Sequence, residues 1–208
     1  MLTLAQALPF LLAAVLVTAS PGPDNLMVLG MGMSRGRWQG IAFGLGCALG
    51  CLSHTLLAVV GVSAVIAASP WAFTALKWAG GGYLVWLGLQ ALRSAGSGPV
   101  AASLAPRQGW QTLFLKGMLA NAINPKVVLF FLSFLPQFVV PAQGQVGWQL
   151  AQLGGLFTLQ AALLFGLLGY FAGTVGGWLN RRPRAGLWLD RVAGLVFVGL
   201  GLRLITQR

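Results

Sequence analysis

Apolar residues along this chain fall into long, nearly continuous runs with polar residues gathered at their ends, unlike the alternating or one-faced patterns of soluble strands and helices. The first run extends from about Leu2 to Met33 and is interrupted by Pro21-Gly22-Pro23. As a single helix it would be ~48 Å long against a hydrocarbon core of ~30 Å, so the pattern predicts a broken span. A second run, about Gly40 to Ala67, ends before Ser69-Pro70, and a third covers about Trp71 to Leu92. The order then returns. A long run from about Trp110 to Val140 is broken at Asn124-Pro125, and further runs cover about Val146 to Leu179 and Leu187 to Ile205. The fold predicted is an all-α membrane protein with six transmembrane helices, the first and fourth broken at proline motifs.

The runs divide at a linker rich in Gly, Ala, Ser and Pro. The organisation expected is one transmembrane transporter domain over 1–208, with repeat one at about 1–93, the linker at 94–108 and repeat two at about 109–208. Gly81 with Leu87-Gly88-Leu89 in the third run recurs at constant offset as Gly194 with Leu200-Gly201-Leu202 in the sixth, and Pro23 corresponds to Pro125. Three helices per repeat is an odd number, so the second repeat is expected to be inverted relative to the first. In such folds, broken helices commonly meet at the substrate site.

Composition agrees with the pattern: 57% of residues are hydrophobic and 7% charged, too little polar surface for a water-soluble globule. The net charge of +11 could attract a polyanion, but its placement points elsewhere. Arg35 and Arg37, then Arg93, Arg107 and Lys116, then Arg181, Arg182, Arg184 and Arg191 mark three alternate connections; Lys77, Arg203 and Arg208 fall toward the other side. The positive-inside tendency puts the basic connections in the cytoplasm and both termini outside, and no nucleic-acid partner is expected. The first basic residue is Arg35, so the first segment is read as retained rather than cleaved. Cys47 and Cys51 lie inside an apolar run and give no disulfide framework.

The two breaks hold the chemistry. Each proline removes a backbone donor and frees carbonyls a turn earlier, and in hydrocarbon these groups need protein, water or ligand as partners. The first break reads Ser20-Pro21-Gly22-Pro23-Asp24-Asn25 and the second Asn121-Ala122-Ile123-Asn124-Pro125-Lys126. Asp24 follows Pro23 as Lys126 follows Pro125, so a carboxylate and an ammonium occupy matching positions, where each alone would cost several kcal/mol. They are expected to face one another or a shared aqueous cavity. A permanent ion pair pinning the helices is one reading. The other is recognition of a zwitterion, with Asp24 on an α-ammonium and with Lys126 and half-helix amides on an α-carboxylate. The remaining acid, Asp190, lies among arginines, so no second carboxylate is left for a cationic side chain and a neutral amino acid is favoured. Asp24 is also the candidate for proton exchange as access alternates.

Cys47, Cys51 and His54 share one helix face and include metal-binding side chains, although three ligands on one span make only part of a site. A packed His54, or one lining the cavity, is the simpler reading. Gln160, mid-run, needs a partner and is a second candidate for cavity lining. Trp38, Trp110, Trp148, Trp178 and Trp188 lie near run ends as interfacial anchors, and the glycine clusters permit close helix approach.

Taken together, Pro21-Gly22-Pro23-Asp24-Asn25, the Lys77 to Arg93 stretch with Gly80-Gly81-Gly82-Tyr83-Leu84 and Leu87-Gly88, and Asn124-Pro125-Lys126 with Leu135-Pro136-Gln137-Phe138 resemble the LysE/RhtB-type amino-acid exporters, the lysine and homoserine/threonine efflux group. The resemblance spans essentially the whole chain. It implies a multi-pass protein of the bacterial inner membrane, not an enzyme, that exports amino acids to the periplasm by proton antiport without a cofactor. The absence of a Gly-rich phosphate loop in the sequence agrees with that. A homodimer is compatible with a transporter this small. Export of basic amino acids, and metal-ion export through Cys47, Cys51 and His54, stand as alternatives. A thiol-exchange electron carrier would need a cysteine at each break, where this chain has Asp24 and Lys126.

Overall fold

The computed structural model describes residues 2–20, 22–62, 64, 69–94 and 108–206; Pro21, Arg107, most of the linker and Arg208 lie outside the described residues. No strand occurs among the described residues. Helix α1 spans Leu4–Ala19 and α2 spans Pro23–Arg35, so the first expected break is present, with Pro23 in the first turn of α2, where its missing N–H is not needed. Gly36, at φ 98°, turns the chain between Arg35 and Arg37 in a conformation that favours glycine.

Helix α3, Arg37–Leu57, continues into a wider π-helical turn at Ala58–Val62. Helix α4 is Pro70–Arg93. The fourth run divides as expected into α5, Trp110–Ala122, and α6, Pro125–Leu129; α6 passes into a π turn at Phe130–Phe134 and a tight turn at Leu135–Phe138. The fifth run departs from the expected single span to Leu179. It is α7, Val146–Tyr170, then α8, Ala172–Arg181, separated at Phe171, whose ψ of 13° leaves the helical range. No proline marks this break. It occurs where the backbone of Gly169 meets Gly40 and Ile41, and Ala172 meets Gly32, so the α2–α3 corner occupies the space beside it. Helix α9 is Pro183–Thr206.

Three helices, Arg37–Gly61, Val146–Tyr170 and Arg184–Thr206, are long and apolar enough to cross a membrane. Helices α1 and α2, bent by 58°, and the pair Trp110–Ala122 and Pro125–Phe138, bent by 53°, each qualify as one broken span. Helix α4 has 24 residues, ~36 Å, yet is not among those that meet the same measure of apolarity. Large apolar side chains such as Leu4, Leu12, Trp71, Leu159 and Leu163 face outward, whereas Gln6, Asp24, Asn25, His54, Asn121 and Gln149 are buried. This distribution suits a lipid solvent.

Glycine sets the packing. Helix α3 lies between two partners: Gly40 and Gly44 meet Gly169 and Phe165 of α7, while Gly46 and Gly50 meet Phe114, Met118 and Asn121 of α5. A Cβ at Gly46 would overlap the Phe114 carbonyl, so the backbones approach as small residues allow. Helices α4 and α9 run antiparallel, with Gly81 against Gly201 and Gly88 against Gly194. These are the four glycines that recur between the third and sixth runs, and they meet crosswise.

The basic connections gather at one end. The Arg37 guanidinium donates to the Tyr170 hydroxyl (3.3 Å), the Gln39 amide to the Gln108 carbonyl (3.0 Å), and the Ser94 hydroxyl to Asp190 (2.8 Å). At the opposite end, the Leu2 N–H donates to the Gln152 side-chain oxygen (3.1 Å), and Gln6 donates to Gln149 (3.1 Å).

Candidate functional site

Breaking a helix leaves its last carbonyls without intrahelical partners. At the end of α1 each is reclaimed by another residue. The Asn25 amide donates to the carbonyls of Thr18 (3.0 Å), Ala19 (3.4 Å) and Ser20 (3.2 Å). The Lys126 ammonium, from the other break, donates to the Val17 carbonyl (3.1 Å), the Ser20 hydroxyl (2.6 Å) and the Ser20 carbonyl (3.5 Å), and lies 4.9 Å from the centre of the Phe197 ring.

The second break has the complementary arrangement. Asn124 caps α6, its side-chain oxygen accepting from the Lys126 N–H (3.1 Å). Its amide donates to Asp24 Oδ2 (3.1 Å), and so does that of Asn121 (2.8 Å). Asp24 sits in the first turn of α2, where the helix dipole favours a negative charge, and is 7% exposed. Both hydrogen bonds reach Oδ2, and among the described residues none reaches Oδ1. Each break thus supplies a charged side chain to the other's orphaned polar groups.

One cavity unites these groups. Its lining includes Gly22, Pro23, Asp24, Asn25, Asn121, Asn124 and Lys126. Of the residues expected at the site, Pro125 is the first residue of α6 but is not in the lining, and Pro21 lies outside the described residues. Asp24 and Lys126 share the cavity but form no ion pair; each is held by neutral groups, which corrects the reading of a permanent salt bridge.

His54 and Gln160 are not in the lining of this cavity: His54 is packed, the first of the two readings given for it, and Gln160 finds its partner on another helix. His54 Nε2 lies 3.0 Å from the Asn121 carbonyl, and its ring packs 5.6 Å from that of Phe131. Gln160 donates to the Thr18 hydroxyl (2.8 Å), and Thr18 is in the wall. Both act from behind the lining. Cys51 does reach the lining and donates to the Asn121 side-chain oxygen (3.4 Å). Asn121 therefore touches Asp24, Cys51 and His54 at once. No group of three His, Cys, Asp or Glu side chains among the described residues is placed to hold a metal ion.

Ser20, the closest partner of Lys126, was legible only as part of the first break. Val17, Thr18, Val127, Phe157 and Phe165, which complete the wall, carry no distinguishing signal in an apolar sequence.

The chain is 33% identical over 201 residues to an uncharacterized membrane protein of Pseudomonas aeruginosa, covering 95% of this chain and 93% of that one. It is 30% identical over 201 residues to a homoserine/homoserine lactone efflux protein of Salmonella typhimurium, covering 96% and 95%. It is 33% identical over 210 residues to a threonine efflux protein of the same organism, covering 96% and 98%. No solved structure matches. The family model described as LysE type translocator matches residues 15–208, and the chain belongs to that family of membrane transporters.

Proposed function

We propose that this protein exports small neutral amino acids of the threonine, homoserine or leucine type across the bacterial inner membrane in exchange for protons. The observation that carries the reading is the state of Asp24: two asparagines of the opposite break orient its carboxylate, and one oxygen remains free in a cavity shared with Lys126. A substrate ammonium binds Oδ1, and the α-carboxylate replaces Ser20 on Lys126, assisted by the first turn of α2. The zwitterion then bridges the two broken spans. A proton arriving from outside competes with the ammonium for the same carboxylate, releases substrate and is carried inward; its loss inside frees Asp24 for the next molecule. One carboxylate serving proton and ammonium in turn is sufficient for antiport.

The reading includes six spans in two inverted repeats, with α4 as the third and both termini periplasmic. Support comes from the crosswise meeting of equivalent glycines on α4 and α9 and from the gathering of basic connections at one end. Purified protein in liposomes, given labelled neutral and basic amino acids under an imposed pH gradient, tests substrate and coupling together. Gradient-driven movement of threonine, homoserine or leucine is expected. Preference for lysine, or transport indifferent to the gradient, would refute the corresponding part.

A further inference from the structure

Charge balance poses a problem that the transport site does not solve. The chain has thirteen Lys and Arg against two Asp and Glu. Both acids are buried: Asp24 is held at the breaks, and Asp190, 7% exposed, accepts from Ser94. Among the described residues, no hydrogen bond or ion pair engages the guanidinium groups of Arg181, Arg182 or Arg184.

These three side chains nevertheless converge. With Trp178, Ala185 and Trp188 they line an open hollow of ≈ 930 Å³. The indoles are 46% and 64% exposed; Arg182 lies 5.9 Å from the Trp178 ring, and Arg191 lies 6.0 Å from the Trp188 ring. Exposed tryptophans at helix ends mark the depth at which hydrocarbon meets headgroups, and three cations between them lie at phosphate level. A planar guanidinium offers paired donors to phosphate oxygens, and basic pockets at this depth attract anionic lipid.

We propose that the α8–α9 turn binds the phosphate of an anionic phospholipid, with Arg181, Arg182 and Arg184 as donors and Trp178 and Trp188 against the glycerol and upper acyl chains. The site adjoins the transport machinery, because α8 packs on α2 through Ala172 against Gly32 and Gly176 against Met33. A lipid seated there holds the helix that supports the Asp24 segment. The proposal does not depend on which solute is exported.

The test is lipid titration of the purified, detergent-solubilised full chain, read by native mass spectrometry. Phosphatidylglycerol, phosphatidylcholine and soluble glycerol phosphate serve as separate probes. The wild type is expected to retain phosphatidylglycerol selectively, and the triple variant R181Q/R182Q/R184Q to bind it about 100-fold more weakly, from roughly a fivefold contribution by each of the three interfacial cations. The variant R181K/R182K/R184K should recover much of the binding, which guards against a fold defect in the glutamine variant, and R203Q at the opposite end should bind as wild type. Equal retention of both lipids, or unchanged binding by the glutamine variant, would overturn the proposal. Glycerol phosphate binding as tightly as the lipid would make this a soluble-anion site and overturn it as well.

Discussion

Replacing Asp24 by asparagine separates its structural duty from its chemical one. The new side chain keeps an oxygen that can accept from Asn121 and Asn124, now at 2.8 and 3.1 Å, and can turn its amide toward the cavity. Packing should survive, and the midpoint of thermal unfolding in detergent should stay close to wild type. Asp24→Leu differs: it strands two buried amides, and at ~1–3 kcal/mol for each orphaned group it should unfold at clearly lower temperature. What Asp24→Asn loses is a charge-assisted hydrogen bond to the substrate ammonium, worth ~1.5–3 kcal/mol net, so affinity should fall about 10- to 150-fold. It also removes the group proposed to take the proton. In liposomes, substrate exchange at high concentration should persist weakly, while an imposed pH gradient should give no acceleration. A well-folded Asp24→Asn protein with wild-type affinity and gradient-driven transport would refute both assigned roles.

Three further outcomes follow from the same geometry. Ser20→Ala removes the 2.6 Å partner of Lys126 and frees the ammonium for a carboxylate; the KM should fall roughly 3- to 10-fold, whereas a rise would mark Ser20 as merely structural. Gly88→Val places a Cβ 2.6 Å from the Gly194 carbonyl and should destabilise by ~1–3 kcal/mol in detergent unfolding, while Gly82→Ala, with open space around it, should be neutral or slightly stabilising. Gln149→Leu removes hydrogen bonds to the Val140 and Gly144 carbonyls and from the Val140 N–H and the Gln6 amide; amide exchange across residues 138–145 should accelerate while α3 stays protected.

Features that change the solvent of a backbone group were legible in the sequence. Proline ends a donor series wherever it stands, so the breaks before Pro23 and Pro125 followed from residue identity, and the basic connections followed from the cost of charge in lipid. The break at Phe171 was not legible, because it coincides with packing of the α2–α3 corner against Gly169 and Ala172, contacts distant in sequence. The π turns at Ala58–Val62 and Phe130–Phe134 were invisible for a similar reason: apolar residues fit either helical width. At the site, opposite charges in equivalent positions pointed to each other, but the sequence could not show that carbonyls freed by one proline and amides beside the other would compete for them.

That competition explains why the charges stay apart without being stranded. A direct Asp24–Lys126 pair would leave the end of α1 dependent on Asn25, and would turn Asn121 and Asn124 away from their acceptor. Cross-capping satisfies both helix ends, so each charge is retained between the two breaks by neutral dipoles that a stronger ligand can displace. A closed salt bridge would have to be broken before a zwitterion could enter; in the proposed binding mode the ammonium would meet an oxygen that is already free, and the carboxylate would displace one hydroxyl. Since Lys126 is anchored on α1 and Asp24 on α5 and α6, a ligand that engages both must couple the two breaks, and releasing either contact lets the spans move independently. In the proposed cycle, the same displacement that admits substrate would therefore loosen the joint between the two broken spans.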